Sequence, residues 1–205
     1  MKVTVSISDE SQRIVTDCVS WSTSHSAIQL ARLSGFTKII TTSSSKHADY
    51  LKSLGAHVVL DREDIVAKHS EAAGSLPISA VFDAIGSDET LVFGKELLQE
   101  HNKESSGSSH YISVRPGIEQ QNLQNPSVTV RSVLGLNTKP ELADVTVPFI
   151  KAISGNDGWV GKGQYKPNRM QKVDGGLNKL NEALDMNKEG VSGVKLWLDP
   201  RETTA

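Results

Sequence analysis

The sequence predicts an α/β fold: a doubly wound, mostly parallel sheet with helices on both faces. Three observations predict it. Short β-branched runs at 38–42, 57–60 and 79–83 alternate with stretches whose apolar residues recur at helical spacing. The strand–helix–strand unit over 38–60 has about the size of a parallel crossover. Punctuating residues fall where such elements must end, with Gly35 and Gly55 after helical patterns and Ser87 before one.

Taken in order, residues 1–20 are left unassigned as a domain. Within them Val3, Val5 and Ile7 alternate as in a strand, and 14–20 can make a second. Ala27, Ile28, Leu30, Ala31 and Leu33 leave few polar positions, as in a helix packed on a sheet, and Gly35 ends it. The run Lys38-Ile39-Ile40-Thr41-Thr42 reads as a buried strand. Three serines follow, then a helix with Ala48, Leu51 and Leu54 on one face, and then a strand over 57–60. Residues 64–73 form a short helix with Asp64 near its N-terminus. A strand over 79–83 leads through Ile85-Gly86 to a helix over 88–99 that Ser87 caps. The polar run 101–109 is a surface loop, and 110–114 and 128–134 are two further strands. Beyond Gly135 a helix over 141–153 is interrupted by Pro148, 154–176 is loop, 177–188 is helix and 194–198 is strand.

Composition narrows the function classes. The 205 residues suffice for one sizeable core or for a domain with an appendage. A net charge of −2 gives no general attraction to nucleic acid or to an anionic membrane. No apolar run approaches a membrane span, and the first residues lack a signal peptide's apolar core. The lone Cys18 excludes an intramolecular disulfide and a cysteine-based zinc site. A reducing, cytoplasmic location follows as the expectation. The histidines at 25, 47, 57, 69, 101 and 110 have no metal-binding spacing, so no metal site is expected.

The chemistry lies at the turn after Thr42. A nucleotide-binding sheet places there either an acid, for a ribose hydroxyl, or cations and donors, for a 2′-phosphate. No acid occurs before Asp49, whereas Ser43, Ser44 and Ser45 offer hydroxyls and Lys46 a positive charge. A plain helix cap with a solvated lysine explains the same residues about equally well on spacing alone. Tyr50, a turn further on, reads as packing. Asp83-Ala84-Ile85-Gly86 ends a strand at the carboxyl edge, where open α/β sheets bind ligands.

An ordered series of segments carries a family resemblance: Ala31-Arg32-Leu33-Ser34-Gly35-Phe36, Leu51-Lys52-Ser53-Leu54-Gly55-Ala56, Val59-Leu60-Asp61, Phe82-Asp83-Ala84-Ile85-Gly86, Lys166-Pro167-Asn168-Arg169, Gly175-Gly176-Leu177 and Val191-Ser192-Gly193. Over roughly 21–200 the chain resembles the cofactor half of zinc-independent medium-chain dehydrogenases/reductases, in the quinone oxidoreductase and trans-acting enoyl reductase branch. The resemblance implies a Rossmann-type NADP-binding domain over 21–153. It also implies that 154–205 is the tail that returns to pack on a catalytic domain. The cofactor it implies is NADPH. Ser44, Ser45, Lys46 and His47 would meet the 2′-phosphate, Arg62 the adenine or the phosphate, and Ile85 and Gly86 the nicotinamide ribose.

Two departures bear on function. The family's glycine-rich pyrophosphate loop is replaced by Trp21-Ser22-Thr23-Ser24, with no glycine between Met1 and Ser34. Hydroxyls of Ser22, Thr23 and Ser24 would donate to the pyrophosphate instead, and weakened binding is expected. Only residues 1–20 precede the cofactor half, so no catalytic residue is named. A fragment, a truncated gene model and a degenerate paralogue all remain open. If the chain is complete, Val191, Val194, Leu196 and Trp197 lack their usual partner, and another chain should cover them. The resemblance further implies a homodimer through the strand over 128–134. Two functions stand side by side. One is an NADPH-dependent, metal-free oxidoreductase acting on an enone, an enoyl compound or a quinone. The other is a non-catalytic remnant that binds NADP(H) or a partner.

Overall fold

The computed structural model describes residues 13–17, 21–61, 63–64, 66–75, 77–103, 108–120, 127–133, 143–191 and 193–204. It divides into two units, one running to Tyr165 and a second, Lys166–Ala205. The sequence places its own boundary earlier, at 153.

The first unit is built on a six-stranded sheet in the order β3-β2-β1-β4-β5-β6, with every pairing parallel. Its elements run β1 (Arg13–Asp17), α1 (Trp21–Leu33), β2 (Lys38–Thr42), α2 (Ala48–Leu54), β3 (Val58–Leu60) and α3 (Val66–Ala73). They continue with β4 (Ala80–Asp83), α4 (Asp88–His101), β5 (Ser109–Ser113), β6 (Val128–Ser132) and α5 (Ala143–Ile153). This order reverses direction between β1 and β4, which is where doubly wound sheets open a crevice beyond their carboxyl ends.

Two cores lie on opposite faces of the sheet. Alternation along a strand sends successive side chains to opposite sides. Ile39 therefore joins Ile28, Ala31, Leu51 and Leu54 under α1 and α2. Ile40 joins Ile78, Leu91, Leu97, Leu98 and Tyr111 on the other side, where α4 packs. Ala80 and Val81 divide between the two cores in the same way.

The structure corrects several sequence expectations. The strand read as possible over 14–20 is β1, over Arg13–Asp17, and it lies at the centre of the sheet, paired with β2 on one side and β4 on the other. Its sequence signal is weak because only Ile14, Val15 and Thr16 are β-branched, between Arg13 and Asp17. Helix α1 begins at Trp21 and not at Ser26, so Ser22, Thr23 and Ser24 occupy its first turns instead of a loop. The strand proposed around Val3, Val5 and Ile7 lies outside the described residues. Helix α5 runs through Pro148 without a break, since a proline forfeits one ladder bond but tertiary context can outweigh that loss.

Helix α4 starts as expected. Ser87 accepts from the Thr90 N–H at 3.2 Å, and the Ser87 N–H donates to the Thr90 hydroxyl at 3.1 Å, a reciprocal cap. Replacing Ser87 by alanine should cost about 1 kcal/mol of stability, read as a lower midpoint in urea unfolding. A midpoint equal to wild type would show that the cap contributes nothing here.

In the second unit β7 (Met170–Lys172) pairs in parallel with β8 (Lys195–Trp197), beside α6 (Leu180–Glu189). Strand β7 falls in the stretch read as loop. All three of its residues are exposed, so no alternation marks it, and only pairing with β8 creates it. Val191, Val194 and Leu196 are half-buried while Trp197 is exposed. The more exposed apolar residues of this unit are Met170 on β7 and Leu177, Leu180 and Leu184 on and before α6.

Candidate functional site

The carboxyl ends of β2, β1 and β4 are neighbours in the sheet, with Thr16 in register with both Thr41 and Phe82. Every described residue singled out from the sequence as a cofactor contact lies just beyond one of these three ends.

Beyond β1 lies the start of α1, and a helix N-terminus is by its dipole a favourable place for an anion. Thr23 is half-buried and Ser24 buried. The Ser24 hydroxyl has no hydrogen-bond partner although it is shielded from water. Such an orphan is costly unless a ligand satisfies it. The side chain of Ser22 and the connecting residues 18–20 lie outside the described residues.

Beyond β2, the Ser43 N–H extends the sheet by donating to the Leu60 carbonyl at 2.9 Å. The chain then enters a short 3₁₀ turn, Ser45–His47, preceded by Ser44 in an extended conformation. Ser44 occupies the capping position, yet its hydroxyl makes no cap bond, which removes the explanation of this serine as a plain helix cap. Ser45 and Lys46 are exposed and His47 is half-buried. Among the described residues Lys46 makes no ion pair. Arg62 lies outside the described residues.

Beyond β4, Asp83 organises the turn. Its carboxylate is 1% exposed and accepts five hydrogen bonds. Oδ1 takes the N–H groups of Ile85 and Gly86, each at 2.9 Å. Oδ2 takes the hydroxyls of Tyr111 at 2.7 Å, Ser113 at 3.0 Å and Thr90 at 3.1 Å. The amides of Ile85 and Gly86 are thus already committed inside the protein, and these two residues can offer a ligand only their carbonyls and the Ile85 side chain. Gly86 has a φ of +76°, and a Cβ there would sit 2.9 Å from Cβ of Arg115. Arg115 in turn pairs with Asp88, which raises the guanidinium pKa above its ordinary value, chiefly through that hydrogen bond.

The sequence reading misses two features. The Asp83 network is one: its signal, hydroxyls at 111 and 113 on one face of a strand, means nothing until the register sets Asp83 opposite Ser113. The other is a polar cluster under α1, where fully buried His25 meets Tyr50, expected only to pack, and Gln29.

Among the described residues no three His, Cys, Asp or Glu side chains gather as a metal site, so they offer zinc no ligand set. No described helix is long and apolar enough to cross a membrane.

Comparison with known proteins agrees with this architecture. Residues 23–142 match the family model described as zinc-binding dehydrogenase. The trans-enoyl reductase himH of Aspergillus japonicus is 32% identical over 197 residues, 92% of this chain and 52% of that protein. The trans-enoyl reductase TOXD of Cochliobolus carbonum is 38% identical over 110 residues, 53% of this chain and 35% of that one. Among solved structures, CurK enoyl reductase superposes with a TM-score of 0.64 at 13% identity, covering 91% of this chain and 55% of that one. The chain spans about half, or less, of the length of these relatives.

Proposed function

The chain belongs to the zinc-binding dehydrogenase family, and from that premise we propose that it is the cofactor-binding half of an NADPH-dependent, metal-free oxidoreductase of the enoyl reductase or quinone oxidoreductase type. The observation that carries the NADP reading is the turn after β2. It has no carboxylate to receive a ribose hydroxyl, and it presents an uncapped serine hydroxyl and an exposed lysine where a 2′-phosphate would lie. Ser44, Ser45, Lys46 and His47 would hold that phosphate, with Arg62, which follows Asp61 in the sequence. Thr23, Ser24 and the start of α1 would hold the pyrophosphate, together with Ser22. Ile85 and Gly86 would border the nicotinamide ribose. When bound, the cofactor supplies a hydride for an activated carbon–carbon double bond or a quinone.

A second reading, a binding module without a reaction of its own, is favoured by the state of Asp83. Asp83 ends β4, and five donors within the protein occupy its two oxygens, so it is committed to holding the turn.

Titrating the protein with NADPH and with NADH, and following melting temperature and Kd, tests both readings. NADPH should bind more tightly. Lys46→Ala combined with Arg62→Ala should weaken NADPH about tenfold or more, the order of one charge-assisted contact, and leave NADH nearly unchanged. Equal losses for the two cofactors would sink the phosphate assignment. Binding without reduction of any enone, enoyl thioester or quinone would leave the module reading.

A further inference from the structure

The α1–α2 interface is apolar for most of its length, through Ile28, Ala31, Leu51 and Leu54. At the end nearest the carboxyl edge of the sheet it changes character. There His25, wholly buried, lies 2.9 Å by Nε2 from the Tyr50 hydroxyl, with the two rings stacked at 5.8 Å. Its other nitrogen, Nδ1, lies 3.2 Å from the side-chain amide nitrogen of Gln29, one helical turn along. That same amide nitrogen donates to the His25 carbonyl at 3.2 Å. A carbonyl can only accept, so it pins the Gln29 nitrogen as the donor on this side. Nδ1 of His25 must then accept from Gln29, and the ring proton is left on Nε2, which donates to Tyr50. Tyr165 closes the cluster edge-on to His25 at 6.5 Å, and its hydroxyl donates to Ser26 at 2.7 Å.

A neutral histidine held in one tautomer by a partner on its own helix makes a directional contact across the interface. Its two ends lie beside the two proposed phosphate-recognising elements: His25 follows Thr23 and Ser24 on α1, and Tyr50 follows the Ser45–His47 turn on α2. Apolar burial is non-directional, whereas a hydrogen bond of fixed tautomer also fixes direction.

We propose that His25 is a positioning residue which, through Tyr50, sets the spacing between the α1 start and the β2–α2 turn, and so tunes the edge to a ligand that must touch both. The inference rests on the cofactor reading above. It predicts a difference between ligands: a dinucleotide spans both elements, whereas adenosine 2′-monophosphate needs only the β2–α2 turn.

The test compares NADPH and adenosine 2′-monophosphate on wild type, Tyr50→Phe and His25→Asn, the last because its shorter amide cannot reach Tyr50 if Tyr50→Phe proves unstable. Each variant should lose about tenfold in NADPH affinity, one hydrogen bond's worth, while the 2′-monophosphate constant stays within about twofold. Nitrogen-15 NMR of wild-type imidazoles should show His25 protonated on Nε2 and bare on Nδ1 at neutral pH. Equal loss of both ligands would reduce the contact to ordinary packing and overturn the proposal, as would the opposite tautomer or an imidazolium. Failure of wild type to bind either ligand would instead bring down the cofactor reading, and the positioning role with it.

Discussion

Replacing Asp83 by alanine should destabilise the protein by about 3–5 kcal/mol, while asparagine at the same position should cost only about 1–2 kcal/mol. The difference follows from which donors can turn away. Alanine leaves the half-buried N–H groups of Ile85 and Gly86 without their acceptor, and backbone in a fixed turn cannot reorient to find another. Asparagine keeps a carbonyl oxygen for those two amides. Its NH₂ carries two hydrogens, which can go to Tyr111 and Ser113 once their hydroxyls rotate from donor to acceptor, while the Thr90 hydroxyl turns to the Ser87 carbonyl 3.1 Å away. Urea unfolding with a common slope measures both variants. Equal losses for alanine and asparagine would mean that the charge, and not the pattern of donors, holds the β4–α4 turn.

Gly94→Ala should lower stability by about 2 kcal/mol, against the direction of helix propensity. Alanine in a helix interior ordinarily gains about 1 kcal/mol over glycine. Here the new Cβ would lie 2.3 Å from Cε2 of Tyr111 and 2.8 Å from its Cδ2, in a core where Tyr111 is fully buried. Overpacking of that kind costs about 3 kcal/mol, so the clash outweighs the propensity gain. For a chain of this size the net loss corresponds to a fall in Tm of roughly 4–8 °C. Because the Tyr111 hydroxyl also holds Asp83, the displaced ring should loosen the β4–α4 turn as well. A melting temperature at or above wild type would show that the ring can move aside without strain.

Much of the fold is legible in local pattern. Strands β2, β3, β4 and β5 declare themselves as β-branched or apolar runs, and helices α2 and α4 end and begin at Gly55 and Ser87 as their chemistry requires. The start of α1 is not legible, because Ser22, Thr23 and Ser24 suit a loop, a cap or a helical turn alike. Strand β1 shows only faintly in the sequence and β7 not at all. The first is short and flanked by charges, and the second has no buried face. At the candidate site, the sequence identifies the serines and Lys46 by residue type but cannot say whether Ser44 caps a helix. That depends on a side-chain contact which the folded chain does not make.

The sequence by itself determined the alternation of strand and helix, the absence of an acid after β2 and the presence of a cation there. These are properties of neighbouring residues, which local sterics and charge express wherever the segment goes. The tertiary structure alone decided the strand order, and with it which turns share an edge. It brought Asp83 together with hydroxyls from β5 and α4, His25 with Tyr50 across two helices, and Gly94 with a tyrosine ring. Contacts between residues distant in sequence depend on register and packing, which no single stretch of the chain encodes.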